Sequence, residues 1–193
     1  MQALDFLTPK LNDEEKNFLI KLSYQTLENF VLNTNKPKVN EAKLSKNLLK
    51  NTASFITLKK NKDLRGCIGS VVAHRPLYID VIENTIFAAS KDTRFEKISK
   101  LELSSISISI SVLSDLHEIK YNSIEELYTL IEPFKDGLVI KNGALQGLFL
   151  PSVWEELPSK ELFLSNLCLK AGFAPNKWHQ EIVVYKFRSL SFS

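Results

Sequence analysis

The sequence predicts an α+β fold in which a mainly antiparallel sheet is flanked by helices. Three observations carry this reading. Ser105 to Val112 reads SISISISV, a strict alternation of apolar and small polar residues with the period of a strand. Asn142-Gly143 and Asn61-Lys62-Asp63 each separate two short apolar runs, as the turns of hairpins do. Segments of helical period, opened by capping residues, are interspersed among these strands without the regular strand–helix alternation of a parallel sheet.

Taken in order, Asn12-Asp13-Glu14-Glu15 opens a helix, since Asn12 can cap it and Glu15 can reach back to the Asn12 amide. Ile20, Tyr24, Leu27 and Val31 then share one face. Asn33 to Lys38 is a polar linker, and a short polar helix is expected around 41–50. Ser54 to Lys59 and Leu64 to Ala73 read as strands paired about the turn at 61–63. Pro76 begins a helix reaching Lys91, with Ile79, Ile82, Ile86 and Ala89 as its apolar stripe, and Asp92 to Ile98 is a loop. In SISISISV the isoleucine face must be buried, whereas the serine face borders either solvent or a cleft. Ser123 and Glu126 make a second capping box, for a helix to about Glu132. Gly137 to Lys141 and Ala144 to Leu150 flank Asn142-Gly143, whose residues both tolerate the positive φ of a type I′ turn. Ser159 to Ala171 is a helix closed by Gly172, and Glu181 to Phe192 is a final strand.

Composition narrows the class. At 193 residues, 44% hydrophobic and 24% charged, the chain suits a single domain over 1–193 with a sizeable core, and disorder is not expected. No apolar run approaches the roughly 18 residues of a membrane span, and MQALDFLTPKLNDEE lacks the pattern of a signal peptide. Two cysteines, at 67 and 168, make no disulfide framework, so a reduced, cytoplasmic protein is the expectation. Net charge is +3, yet Lys36 to Arg65 carries +7 and leaves −4 for the rest. Such a stretch can attract phosphates or acidic partners, but aromatic residues and arginines do not interleave its lysines as they would in a nucleic-acid groove. Nucleic acid and membranes are therefore not the expected partners.

The chemistry concentrates in Leu64-Arg65-Gly66-Cys67-Ile68-Gly69. If this segment is regularly extended, Leu64, Gly66 and Ile68 face the core and Arg65 and Cys67 emerge together on the other side. Their spacing of about 7 Å would let a guanidinium favour a thiolate. Gly66 and Gly69 would admit a ligand or another backbone, or would mark a bulge that breaks the alternation. The plainer alternative is that Cys67 is a small buried hydrophobe. Arginine is scarce, at 65, 75, 94 and 188 against 21 lysines, which suits planar recognition of a carboxylate or phosphate.

LRGCIG resembles the signature hexapeptide of the AMMECR domain family, whose prokaryotic members include AmmeMemoRadiSam system protein A. Phe55-Ile56-Thr57-Leu58 resembles the family strand before it, and Ala88-Ala89-Ser90-Lys91-Asp92-Thr93-Arg94-Phe95 its helix end and Asp-Pro-Arg-Phe loop. Thr93, Glu96 and Lys97 stand where that loop usually has prolines. Ile110 to Ser114, Asp136 to Ile140, Gly147 to Pro151 and Leu167 to Gly172 with Trp178 resemble later family segments, in order over roughly 12–190. The resemblance implies two lobes of unequal size, with the hexapeptide lining a cleft between them; a small-molecule ligand in that cleft is the expectation drawn from the residues. The resemblance also implies Memo-like and radical-SAM proteins as pathway partners, and no settled reaction.

Cys67 and Arg65 are thus the candidate catalytic residues, with Gly66, Gly69, Asp92, Arg94 and Phe95 as candidate ligand contacts. The expected function is a ligand-processing domain acting on a small anionic or aromatic molecule. The alternatives are a non-catalytic adaptor for a partner protein and a nucleic-acid binder using Lys36 to Arg65. His74 is seven positions from Cys67, which would put the two on opposite faces of a continuous strand, while His117 or His179 could reach it only through the fold. Metal-ligand spacings and nucleotide-binding glycine loops are absent, so no metal or cofactor is expected. Cys168, between Leu167 and Leu169, reads as core.

Overall fold

A computed structural model describes residues 9–174 and 182–193. The elements are α1 (Asp13–Val31), a 3-10 turn at Glu41–Lys43, α2 (Lys46–Leu49), β1 (Ser54–Lys60), β2 (Asp63–Gly69), α3 (Leu77–Ser90) and a 3-10 turn at Lys100–Ser105. Then come β3 (Ile106–Leu113), β4 (His117–Ile119), α4 (Ile124–Leu130), β5 (Gly137–Asn142), β6 (Leu145–Phe149), a 3-10 turn at Pro151–Glu155, α5 (Lys160–Ala171), β7 (Val183–Phe187) and β8 (Ser189–Phe192). The class is α+β, as the interspersed pattern predicts. The strands make two four-stranded sheets, β2-β1-β3-β8 and β4-β7-β5-β6, and the chain divides into two compact units.

The first unit holds Pro9–Leu113 and Leu190–Ser193. Ile56, Leu58, Ile108 and Ile110 lie on one face of its sheet and pack with Leu19 and Leu22 of α1 and Val81 and Ala88 of α3. Each such side chain contributes about 1.5–3 kcal/mol on burial. The Asn12–Glu15 capping box forms in both directions, at 2.9 and 2.8 Å. Of the expected stripe on α1, Leu27 is buried and Ile20 and Val31 pack partly buried against the core, but Tyr24 departs from it. Tyr24 is 41% exposed, and Ser23 and Thr26 occupy core-facing positions beside Leu19, Leu22 and Leu27. Ser23 bonds the Thr85 hydroxyl of α3 at 2.7 Å, and Thr26 donates to the Leu22 carbonyl. Satisfied hydroxyls in a core hide its stripe from a reading of apolar residues alone.

The type I′ turn expected at Asn142-Gly143 occurs instead at Asn61-Lys62. Asn61 and Lys62 both take positive φ, +50° and +78°, so the type I′ turn joins β1 to β2. In the β5–β6 hairpin Asn142 pairs with Leu145, and of the two loop residues only Gly143 has positive φ, +57°, the type II′ pattern. The helix expected around 41–50 is instead a 3-10 turn followed by the short α2. Strand β2 stops at Gly69, short of the expected Ala73. The reason is the buried Asp80 carboxylate, which accepts from the Ser54 amide and hydroxyl, Ser70 Oγ, Arg75 Nε and Asn84 Nδ2. Ser70 to Arg75 is drawn onto α3 rather than along the sheet.

The second unit is Ser114–Ser189. Trp154 stacks on Phe163 with ring centroids 3.7 Å apart, over buried Leu138, Ile140, Leu167 and Val184. Trp154 Nε1 donates to the Asp136 carbonyl at 2.7 Å. Gly172 closes α5 at φ +86°. At α4, Ser123 caps, but the Glu126 carboxylate takes the backbone and side-chain N–H groups of Asn122 instead of returning to Ser123. The single final strand is two strands in two different sheets, because Arg188 breaks it. Its amide donates to Ser114 Oγ and its guanidinium to Asp136 and Glu132.

Candidate functional site at the edge of the first sheet

β2 is the outer strand of its sheet. Its pairing with β1 runs Thr57 to Cys67 and Leu58 to Gly66, then Lys59 to Leu64, so Arg65 is the extra residue of a bulge. The bulge corrects the simple alternation. Leu64, expected in the core, is 40% exposed opposite Lys59. Gly66 and Ile68 do turn inward, opposite Leu58 and Ile56, and Cys67 turns outward beside Thr57.

Each glycine answers a local demand. A Cβ on Gly66 would stand 2.2 Å from the Ala88 carbonyl oxygen, so α3 lies directly on this backbone and holds the space a ligand would need on that face. A Cβ on Gly69 would stand 2.2 Å from the Phe55 ring, which folds over it.

Arg65 is committed elsewhere than to the thiol. Its guanidinium forks onto Glu102, Nε to Oε1 at 2.9 Å and Nη2 to Oε2 at 3.2 Å, and Nη1 donates to the Glu96 carbonyl at 2.7 Å. Arg65 and the Ser99 amide hold the Glu102 carboxyl well below its ordinary range, at about 2. Arg65 therefore clamps the 92–98 loop and the 3-10 turn after it onto the sheet edge.

Asp92 completes the clamp. Its carboxylate is 6% exposed and accepts the Cys67 amide at 2.8 Å. It also accepts Arg94 Nε at 2.9 Å and Nη2 at 2.7 Å. The Arg94 guanidinium, foremost, brings the Asp92 carboxyl down to about 2. Reciprocally Arg94 is raised, chiefly by Asp92 with a smaller electrostatic contribution from Cys67, and its side chain stays 55% exposed. Phe95 takes both guanidiniums, Arg94 at 5.4 Å and Arg65 at 5.9 Å from its ring centroid. Cys67 is half-buried, and its sulfur meets the Thr57 hydroxyl at 3.4 Å. One fold region thus gathers Arg65, Gly66, Cys67, Gly69, Asp92, Arg94 and Phe95.

Thr57 and Glu102 were not among the sequence candidates. Ser99-x-x-Glu102 is a capping box legible in the chain, and Glu102 does cap that turn, but nothing local signals its second role on Arg65. Among the described residues no cluster of three His, Cys, Asp or Glu could hold a metal. His74 bonds the Val72 carbonyl, and His179 and Trp178 lie outside the described residues. Cys168 is fully buried in the second unit, and burial lifts its thiol to about 11. The basic stretch is partly spent internally, since Lys36 pairs with Glu83, and Lys60 and Arg65 with Glu102. Among the described residues no helix is long and apolar enough to cross a membrane.

The AMMECR1 family model matches residues 20–192. The chain belongs to the AMMECR1 family. It is 34% identical to Protein MK0488 of Methanopyrus kandleri over 95% of this chain and 90% of that one. It is likewise 34% identical to Protein Mbar_A1807 of Methanosarcina barkeri, over 87% and 84%. The crystal structure of the uncharacterized protein PH0010 from Pyrococcus horikoshii superposes with a TM-score of 0.87 at 29% identity, covering 94% of this chain and 92% of that one. In this AMMECR1-family chain the hexapeptide is thus a bulged edge strand, held by two carboxylates against the loop that follows α3.

Proposed function

We propose that this chain is a ligand-processing domain for a small anionic molecule, with Cys67 as its reactive thiol and Arg94 as the cation that meets the anion. The observation that carries the reading is the division of labour around Cys67. The Cys67 amide is fixed by Asp92, the residue is half-buried with its sulfur beside the Thr57 hydroxyl, and the Arg94 side chain, paired with Asp92 through Nε and Nη2, stays 55% exposed. Arg65, satisfied by Glu102 and loop carbonyls, acts as a positioning residue. A fixed backbone with an accessible side chain and a nearby cation is the arrangement in which a thiol reacts selectively. The Memo-like and radical-SAM partners remain proposals from the family resemblance, as the supply and destination of the ligand.

The test compares alkylation of Cys67 by iodoacetate and by iodoacetamide in the native chain and in urea. Native Cys67 should favour the anionic reagent by about fivefold relative to the unfolded chain, a bias of the size one partly exposed charge gives. Arg94→Gln should abolish the bias. No native alkylation, or an unchanged ratio, would end the proposal. An adaptor, by contrast, would bind its partner protein equally well as wild type and as Cys67→Ser.

A further inference from the structure

We infer that the first unit holds a second site, independent of Cys67, which takes a single-chain aliphatic carboxylate in a groove between α1 and the chain that follows it. Residues 33–45 leave the end of α1 and return along it as a strap tied at both ends. At one end Asn29 Nδ2 donates to the Asn35 carbonyl, and Thr34 Oγ to the Asn29 carbonyl. At the other, Ser45 Oγ and Asn47 Nδ2 donate to the Glu15 carboxylate. Between these ties the strap stands off the helix and leaves a groove of about 600 Å³. Small-molecule sites run from roughly 300 to 1,000 Å³. On α1 the groove follows Glu14, Phe18, Lys21 and Gln25, one face at helical spacing. The rise from Glu14 to Gln25 makes it about 16 Å long, so its volume corresponds to a mean cross-section of roughly 36 Å².

That section admits one unbranched chain. A helix with its side chains is about 10 Å across and does not fit. An extended peptide would bring its amide groups against walls that are mostly apolar, formed by Phe18, Leu22, Val39, Leu44 and Leu48. The two ends differ in charge. Glu14 and Glu15 stand at one. Burial alone would raise the Glu15 carboxyl, but bonds from Ser45, the Asn12 amide and Asn47 hold it below its ordinary range, so it stays ionised. Lys21 lies further along α1 and Lys38 at the start of the facing strap. Neither forms an ion pair among the described residues, whereas Lys36, just before them on the strap, is held by Glu83. Lys43 is also without an ion pair there, but it adjoins the Ser45 tie at the Glu15 end. An apolar channel with carboxylates at one end and two uncommitted ammonium groups toward the other fits an anion at Lys21 and Lys38 whose chain runs toward Leu44 and Leu48. A neutral alcohol would leave both ammonium groups unmatched, and a cationic amphiphile would meet like charge. A short or aromatic acid would leave much of the apolar wall in water.

The experiment is isothermal titration of the full chain with hexanoate, octanoate and decanoate, each below its micelle concentration, beside octanol, octyltrimethylammonium and benzoate. The carboxylates should bind saturably at one site per chain, tightening about threefold to fourfold for each methylene buried. Lys21→Gln and Lys38→Gln should each weaken decanoate about threefold to fivefold, and Lys43→Gln by less than about twofold. All three side chains are exposed, so unchanged melting would show the fold intact. Val39→Trp, which fills the groove, should abolish binding. No dependence on chain length, no effect of Lys21→Gln and Lys38→Gln, or octyltrimethylammonium or benzoate binding as tightly as octanoate would overturn the inference. Phosphatidylglycerol vesicles held through the same lysines would assign the face to a membrane surface instead, and a dimer that decanoate disperses would assign it to a second copy of the chain; either result overturns the inference. Decanoate should leave the alkylation rate of Cys67 unchanged, and protection of that thiol would refute a separate site.

Discussion

Gly66→Ala is the most informative single change in the first unit. The added Cβ would lie 2.2 Å from the Ala88 carbonyl oxygen and 3.2 Å from its carbon, against an ordinary contact of 3.4 Å or more. The obstacle is backbone, so rotamer changes give no relief, and α3 must retreat from β2 by about 1 Å. Over-packing of this kind costs about 1–3 kcal/mol, and a main-chain clash belongs at the upper end. The smaller entropy cost of ordering alanine in a strand returns about 0.5–1 kcal/mol. A net loss of about 2 kcal/mol corresponds to roughly 4–8 °C in Tm for a chain of this size. Ala88 is one helical turn before Asp92, so the same retreat should loosen the bond from Asp92 to the Cys67 amide and speed its hydrogen exchange. Circular dichroism melting and amide exchange read the two effects. Gly143→Ala is the control, since nothing lies within 4 Å of its Cβ and only its φ of +57° opposes the change. That variant should lose about 1 kcal/mol and leave Cys67 exchange untouched. A Gly66→Ala chain melting within about 1 °C of wild type would refute the close approach of α3.

Three further outcomes are expected. Asp92 and Glu102 are both lowered to about 2, from 3.8 and 4.5, so their stabilisation is complete above those ordinary values and lost as pH falls toward 2. Asp92 alone contributes about 2 kcal/mol, and urea midpoints of Asp92→Asn and Glu102→Gln should fall less steeply than wild type over that window. Arg65→Lys cannot reproduce the fork onto Glu102 together with the Glu96 carbonyl, and should cost about 1–3 kcal/mol by urea denaturation; an unchanged midpoint would mean the clamp contributes nothing. Native alkylation at neutral pH should modify Cys67 and spare Cys168, whose buried thiol is pushed up to about 11, and peptide mapping that finds both labelled equally would contradict that burial.

Much of the framework was legible because its signals are local. The isoleucine face of Ser105 to Val112, the Asn12–Glu15 box and the Gly172 cap each depend on residues within one element, and each stands where the pattern puts it. Elements misjudged were those whose outcome depends on distant partners. Tyr24 lost its core position to hydroxyls answered by Thr85 and Leu22, β2 was cut short by Asp80, and the last strand was divided by Arg188.

The candidate site shows the same boundary. Sequence alone supplied the residue types: a thiol between glycines, an arginine beside it, and an acid–arginine–aromatic loop some 25 residues on. It also supplied the hexapeptide whose resemblance pointed to the AMMECR family. Which carboxylate each arginine pairs with was decided only in three dimensions. The bulge at Arg65 sends that side chain to Glu102, 37 residues away, and Asp92 reaches back 25 residues to the Cys67 amide. Period and capping are written in neighbours along the chain, whereas a carboxylate's choice of partner follows from which backbones the core brings within 3 Å.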